Sequence, residues 1–150
     1  MPHFGLMDPK KLGPEQGPLQ RARLHIRGGK RRLQQGKVTA GIVTLYDALE
    51  SAMEWYMAAP ERRARVRLGE GEGVNDSASL FAALGRSGVV NGSFDFASFE
   101  RLMERSLNEE AGMNTYDWKE LVKGVEQVMT DLGVMPFDDA ALPPEDPSTF

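Results

Sequence analysis

Residues 33–56, LQQGKVTAGIVTLYDALESAMEWY, decide how this chain folds. Asp47, Glu50 and Glu54 fall on one side of this stretch when it is drawn as a helix, where their charges stay in water. The apolar residues recur on the opposite side at the three-and-four spacing of one helical face: Val38, Ile42, Leu45, Leu49, Ala52, Met53 and Tyr56. The pattern predicts a helix over 38–57 whose apolar stripe lies in the core of a helical bundle.

Small residues show where this helix meets its neighbours. Gly36 stands where a helix would end, because glycine takes a left-handed backbone without strain, so LQQGKV predicts a tight turn between two antiparallel helices. Gly41 and Ala48, one heptad apart, predict a close approach by another helix. An alternative use of this surface is a groove for a partner helix, to which Leu24 and Trp55 would contribute.

The turn and the second helix carry a local resemblance to known families. The run of Gly36, Gly41, Ile42, Leu45, Ala48 and Leu49 resembles part of a tetratricopeptide repeat, with Gly41 where that repeat usually has Ala. The region is also similar to bacterial HEPN-type bundles, and both resemblances imply a helical hairpin. No second copy of a repeat follows, although repeat proteins need about three. HEPN ribonucleases carry an Arg roughly four to six residues before a His. Arg21 and Arg23 lie too close to His25, and no Arg precedes His3, so that nuclease motif is missing.

The rest of the chain predicts an all-α fold. Apolar stripes at helical spacing place core helices near residues 19–35, 38–57, 96–110 and 115–132, with a short helix over 77–84. Asp76 or Asn75 is suited to cap the short helix, Asp95 and Thr115 are suited to cap two others, and Gly133 is suited to end the last. We therefore expect a bundle of four or five helices in one domain over 19–133.

Both termini are irregular in composition. Residues 1–18 contain four Pro and three Gly, a spacing that predicts an extended arm without a helix. Residues 134–150 are acidic and Pro-rich and predict a tail whose first part is fixed by apolar side chains. Two points stay open at this stage. Gly28-Gly29 weakens the first helix enough to break it, and the basic stretch 61–68 fits a short helix or a strand.

Charge is distributed unevenly along the chain. Residues 1–68 hold 13 Lys/Arg and 6 Asp/Glu, whereas residues 69–150 hold 5 and 16, so net charges of +7 and −11 sum to −4. Seven basic residues lie between Glu15 and Asp47 with no acid among them. We take as candidate anion-binding or partner-binding residues Arg21, Arg27, Arg31 and Arg32. Their targets are either acids of the same chain or of a second copy, or phosphates of a nucleic acid.

Several classes of site are excluded or disfavoured by the residue types present. The chain has no Cys and only two His, which excludes thiolate chemistry and disfavours a His-rich metal site. The GEGEGVND loop follows no convincing strand, and Ser87, Val89 and Ser98 stand where a calcium loop needs acids. No catalytic constellation is present, and we expect no metal and no cofactor. No run approaches the ~18 apolar residues of a membrane span, and the N-terminus has no apolar signal core, so we expect a cytoplasmic location.

These observations favour an interaction protein over an enzyme. We expect a small cytoplasmic adaptor that binds another protein, or a second copy of itself, through a helical bundle. The alternative is a nucleic-acid-binding module that uses the basic face of the first helix. An enzyme of unknown class ranks third, because neither His has the partners of a catalytic triad.

Overall fold

The computed structural model describes residues 9–73 and 75–145. In this part of the chain there are six helices and no strand, so the all-α prediction is confirmed. The helices are α1 Pro9–Gln34, α2 Val38–Ala58, α3 Pro60–Arg63, α4 Ser77–Arg86, α5 Phe96–Asn108 and α6 Lys119–Leu132. Two short 3-10 turns, Glu110–Met113 and Asp139–Ala141, follow α5 and α6 respectively. None of the helices described has the length and apolar character needed to cross a bilayer.

Helix α2 is the centre of the bundle. It contacts each of the other five helices, and its stripe from Val38 to Tyr56 is buried. Leu45 of α2 and Val125 of α6 are both fully buried in one continuous core, as the periodicity of the two helices predicts. The core therefore forms around the segment with the strongest apolar periodicity.

Helices α1 and α2 pack closely as an antiparallel hairpin. Gly36 turns the chain between them with a φ of 80°. A Cβ atom added at Gly41 would lie 2.5 Å from Cγ of Leu33, and one at Gly29 would lie 3.0 Å from Cδ2 of Leu45. The close approach predicted at Gly41 is thus present. The helix is not broken at Gly28-Gly29, because Gly29 lies in the contact with α2.

The extended arm predicted for residues 1–18 is wrong for residues 9–18. Helical backbone extends from Pro9, interrupted by non-helical dihedral angles at Gly13 (φ 92°, ψ 166°). Pro14 follows directly, at the first position of the continuous helix, where its missing N–H costs little. Pro18 is still close to that start, so it removes only an early backbone hydrogen bond. Residues 1–8 of the predicted arm lie outside the described residues.

The other helix ends lie where the capping residues predict, except that α6 begins four residues later than expected. The side chain of Asp76 accepts from the backbone N–H of Ala78, and Asp95 accepts from Ser98. Gly133 ends α6 in the left-handed conformation. The cap predicted at Thr115 is wrong, because α6 begins at Lys119. Met113 to Tyr116 form a turn instead, and the carboxylate of Asp117 accepts from the Lys119 N–H. After α3, residues 66–68 are neither helix nor strand.

Candidate anion-binding face of helix α1

Helix α1 has an apolar face and a basic face. Ala22, Ile26, Gly29 and Leu33 are buried against α2. The cations occupy the remaining positions, because a spacing of three or four residues leaves them on the other sides of the helix. We call the surface formed by Arg23, Arg27, Arg31 and Arg32 the basic face.

Arg21 is separate from the basic face and lies at the polar edge between α1 and α2. Its guanidinium donates two hydrogen bonds to Asp47, of 2.8 and 3.0 Å. His25, one turn later, pairs with the same carboxylate through Nδ1. Burial alone would raise the pKa of Asp47, but the hydrogen bonds from His25 and Arg21 outweigh it and lower the pKa to about 2. Arg21 therefore links two helices and does not join the other three candidate arginines.

Residues 134–145 form a segment that lies across the basic face; we call it the C-terminal segment. Val134 is fully buried in the core and anchors its start. Nε of Arg23 donates to the carbonyl oxygen of Val134 at 3.0 Å, and the Arg23 guanidinium lies 5.4 Å from the centre of the Phe137 ring. Further along, Nη2 of Arg27 donates to the carbonyl oxygen of Pro143 at 2.6 Å. The two carbonyl oxygens that accept from Arg23 and Arg27 belong to the main chain, so these two contacts do not depend on the side chains of the segment.

Glu145 supplies the negative charge at the end of the C-terminal segment. Its Oε1 lies 3.3 Å from Nε of Arg27, and its Oε2 accepts from Nε of Arg31. The three side chains are 15–20% exposed, so this group of charges stays in partial contact with solvent. Arg27 and Arg31 thus meet an acid of their own chain, which is one of the partners expected from the charge pattern.

Gly28 makes room for the arginine heads. A Cβ atom at Gly28 would lie 2.9 Å from Nη1 of Arg32 and 4.0 Å from Nη2 of Arg31. The two guanidinium groups therefore converge above bare backbone. Burial lowers the pKa of Arg32, the neighbouring charge of Arg31 lowers it further, and Glu145 opposes the shift. Sequence reasoning considered Gly28 only as a weak point of the helix. The run RGGKRR at residues 27–32, which places Gly28 close to Arg31 and Arg32 on the helix, is the feature of the sequence that could have indicated this contact.

The acidic half of the chain meets α1 at a second point. Nζ of Lys30 lies 3.1 Å from Oε2 of Glu126 on α6. This pair supports the expectation that the basic and acidic halves of the chain attract each other. The Arg32 side chain, by contrast, makes no hydrogen bond and no close ion pair with another described residue, although the charge of Glu145 acts on it from a distance.

The two residues proposed for a partner groove lie in different surroundings. Trp55 packs against the core, with the Arg62 guanidinium 3.9 Å above its ring. Its ring would also lie 3.5 Å from a Cβ atom at Gly133. Leu24 is half-buried on α1 and is not part of the core cluster. Trp55 is thus covered by groups of its own chain, which leaves little of it for a partner.

A separate cleft of about 590 Å³ lies between α1, α2 and α4. Its polar wall contains Arg21, Asp47, Glu50, Glu54 and Ser77. Asp47 is held by Arg21 and His25, and Glu50 accepts a 2.6 Å hydrogen bond from Ser77. The described residues include no group of three or more His, Asp or Glu side chains placed to hold a metal ion. The carboxylates of Asp47 and Glu50 thus link α2 to α1 and to α4, respectively.

Comparison with known proteins gives no relative for this chain: no family model, no curated protein and no solved structure matches it. The resemblance to a tetratricopeptide-type or HEPN-type hairpin is untested by these comparisons and stays a prediction.

Proposed function

We propose that this protein is a small cytoplasmic interaction protein that binds an extended acidic segment of a partner protein along the basic face of α1. The observation that carries this proposal is the C-terminal segment itself, which occupies that face as an internal ligand. Carbonyl oxygens of Val134 and Pro143 and the carboxylate of Glu145 receive the arginine donors. An acidic, Pro-containing segment of another protein offers the same groups.

The contacts of the C-terminal segment are suited to exchange. Ion pairs near a protein surface contribute little stability and are screened by salt. The segment nevertheless competes well, because about ten residues separate Glu145 from its anchor in the core and keep its local concentration high, on the order of millimolar. A partner would therefore need either more charge or more contacts to displace it.

Binding to nucleic acid is the alternative that the same face permits. The overall charge of −4 opposes the approach of a long polyanion. In addition, the ligand that occupies this face in the structure is itself a polypeptide, whose carbonyl oxygens accept from Arg23 and Arg27. These two features favour a protein partner.

The test uses a chain that ends after Phe137 and a labelled peptide with the sequence of residues 136–150, PFDDAALPPEDPSTF. The core cluster contains no residue beyond Phe137, so the shortened chain retains its core, which circular dichroism checks. Fluorescence anisotropy at low salt should show that the shortened chain binds the peptide and that the full chain binds it at least about tenfold more weakly. Affinity should fall steadily as salt is added.

Matched double variants locate the binding surface. Arg27→Gln with Arg31→Gln should abolish peptide binding, whereas Arg65→Gln with Arg67→Gln removes the same charge from exposed positions and should leave it nearly unchanged. Equal losses in the two double variants would show non-specific charge attraction and contradict the proposal. Tighter binding of a short DNA or RNA than of the peptide would favour the nucleic-acid alternative.

A further inference from the structure

We propose that Arg27 and Arg31, which both contact Glu145, and Arg32, whose guanidinium lies beside that of Arg31 next to Gly28, form a binding site for a phosphomonoester group on the partner protein. The phosphate would occupy the place that the Glu145 carboxylate now holds. The inference rests on the proposed function, since it specifies which anion the partner's segment carries. We refer to these three arginines with Gly28 as the arginine cradle.

No side chain projects from the helix beneath the arginine cradle, because position 28 is a glycine. Gly28 is buried, and the space where a side chain would project from it is bordered by Nη1 of Arg32 at 2.9 Å and Nη2 of Arg31 at 4.0 Å. The guanidinium groups can therefore converge on one small anion without a side chain beneath them. Any residue larger than glycine would push Arg32 away from this point.

Glu145 leaves donors of the cradle unused. Nε of Arg27 is buried and lies 3.3 Å from Glu145 Oε1, yet the geometry makes no hydrogen bond. The partly buried side chain of Arg32 makes no hydrogen bond and no close ion pair with another described residue. A buried donor whose hydrogen bond is poorly aligned is only partly satisfied, so the cradle is better suited to an anion with more acceptors than Glu145 provides.

A phosphomonoester has the missing charge and the missing oxygens. It carries about −1.5 to −2 charges at neutral pH and three strong acceptor oxygens, whereas a carboxylate carries one charge and two oxygens. Guanidinium forks bind such oxygens in pairs. The phosphodiester of a nucleic acid has one charge and two free oxygens and so resembles the carboxylate. The cradle therefore favours a phosphorylated protein segment.

The experiment uses the full-length Glu145→Gln protein, in which the internal carboxylate is removed. Two labelled peptides carry the sequence of residues 139–150, DAALPPEDPSTF: one keeps its single glutamate, and in the other phosphoserine replaces that glutamate. Fluorescence anisotropy near pH 7.5 should show about tenfold tighter binding of the phosphopeptide. The preference should shrink near pH 5.5, because the phosphate loses its second charge with a pKa of about 6 while the glutamate stays ionised.

Two further variants separate the cradle from general positive charge. In the Glu145→Gln background, Arg32→Gln should reduce the phosphopeptide preference to about twofold or less, and Arg65→Gln should leave it intact. Gly28→Ala should weaken phosphopeptide binding more than glutamate-peptide binding. A preference that survives Arg32→Gln would overturn the proposed site.

The remaining outcomes distinguish this inference from the proposed function. Equal affinity for the two peptides, with both dependent on Arg27 and Arg31, would overturn the phosphate site and leave the proposed function standing. Failure of both peptides to bind would overturn both. Displacement of the phosphopeptide by inorganic phosphate at an equal molar concentration would assign the cradle to a free ion and contradict a protein-borne ligand.

Discussion

The two faces of α1 are held in different ways. Toward α2, Ala22, Ile26 and Leu33 are at most 2% exposed and pack by shape. Toward the C-terminal segment, Arg23, Arg27 and Arg31 are held by carbonyl oxygens and one carboxylate. Apolar burial contributes large, salt-independent stability, whereas partly solvated ion pairs contribute little. One helix thus packs through apolar side chains on one face and contacts the C-terminal segment through polar groups on the other.

The adjacent glycines Gly28 and Gly29 show the same division within two residues. Gly29 lets the Leu45 side chain and backbone approach to 3.0–3.3 Å of its Cβ position. Gly28 faces the flexible ends of Arg31 and Arg32 instead. Two identical residues therefore contact the core in one case and arginine side chains in the other, because successive helix positions point about 100° apart.

The largest effect should come from the packed face. Leu45→Ala removes a fully buried side chain at the junction of α1 and α2 and should lower the free energy of unfolding by about 2–5 kcal/mol. Chemical denaturation measures this change. Leu107→Ala, at a position 60% exposed, is the control and should have little effect. An unchanged midpoint for Leu45→Ala would contradict the bundle core.

Next in size is the effect of filling the close approach between the helices. A Cβ at Gly41 would collide with the buried Leu33 at 2.5 Å, so Gly41→Ala should cost about 1–3 kcal/mol despite its better helix propensity. Gly28→Ala meets only the mobile end of Arg32 and should be neutral or stabilising by up to about 1 kcal/mol. Equal destabilisation by both substitutions would contradict the view that Gly41 lies in a rigid helix contact and Gly28 beside a movable side chain.

A smaller effect is expected at the polar edge. Because the pKa of Asp47 falls from 3.8 to about 2 in the folded chain, its carboxylate stabilises the fold above about pH 4 and loses this effect as the pH falls toward 2. Partial exposure of the pair reduces the contribution to about 1 kcal/mol.

The comparison of wild-type protein with Asp47→Asn tests this pH dependence. The difference in unfolding free energy should be constant near pH 6 and disappear by about pH 2. Glu109→Gln, at an exposed position, should show no such dependence. A difference that stays the same throughout acid titration would mean that Asp47 acts through packing and not through its charge.

The smallest effect on stability should follow removal of residues 138–150. Glu145 makes the ion pairs in the described part of this segment, and surface pairs contribute about 0–1 kcal/mol each. The unfolding midpoint should change slightly at low salt and not measurably at about 0.5 M salt. A large loss of unfolding free energy that does not depend on salt would mean that residues after 137 pack in the core. It would contradict the view that polar contacts alone hold them on α1.

Helix α2 was the part of the fold best predicted from sequence. Its predicted range of 38–57 differs by one residue from Val38–Ala58, because a long periodic stripe needs no information from distant residues. The caps at Asp76 and Asp95 were predicted for a similar reason, since a cap bonds within three residues. The beginning of α1 was missed. Its prolines stand near a helix start after Gly13, and composition alone does not reveal that position.

The candidate site was predicted only in part. The sequence identified Arg27, Arg31 and Arg32 as basic and indicated acids of the same chain among their possible partners. It did not indicate that Arg21 would bind Asp47 instead, or that Gly28 would lie directly beside the Arg32 guanidinium. Carbonyl oxygens of Val134 and Pro143 were also missed, since every residue has such an oxygen and none is marked in sequence.

The sequence by itself determined the all-α class, the central helix and the uneven charge, because these depend on spacing and composition along the chain. Only the tertiary structure decided which acid meets which arginine and which glycine contacts Leu45 or Arg32. The physical reason is range. Helix periodicity and capping act over a few residues, whereas Arg31 and Glu145 are 114 positions apart in sequence. Their meeting depends on how the core orients α1 and the end of α6 around α2.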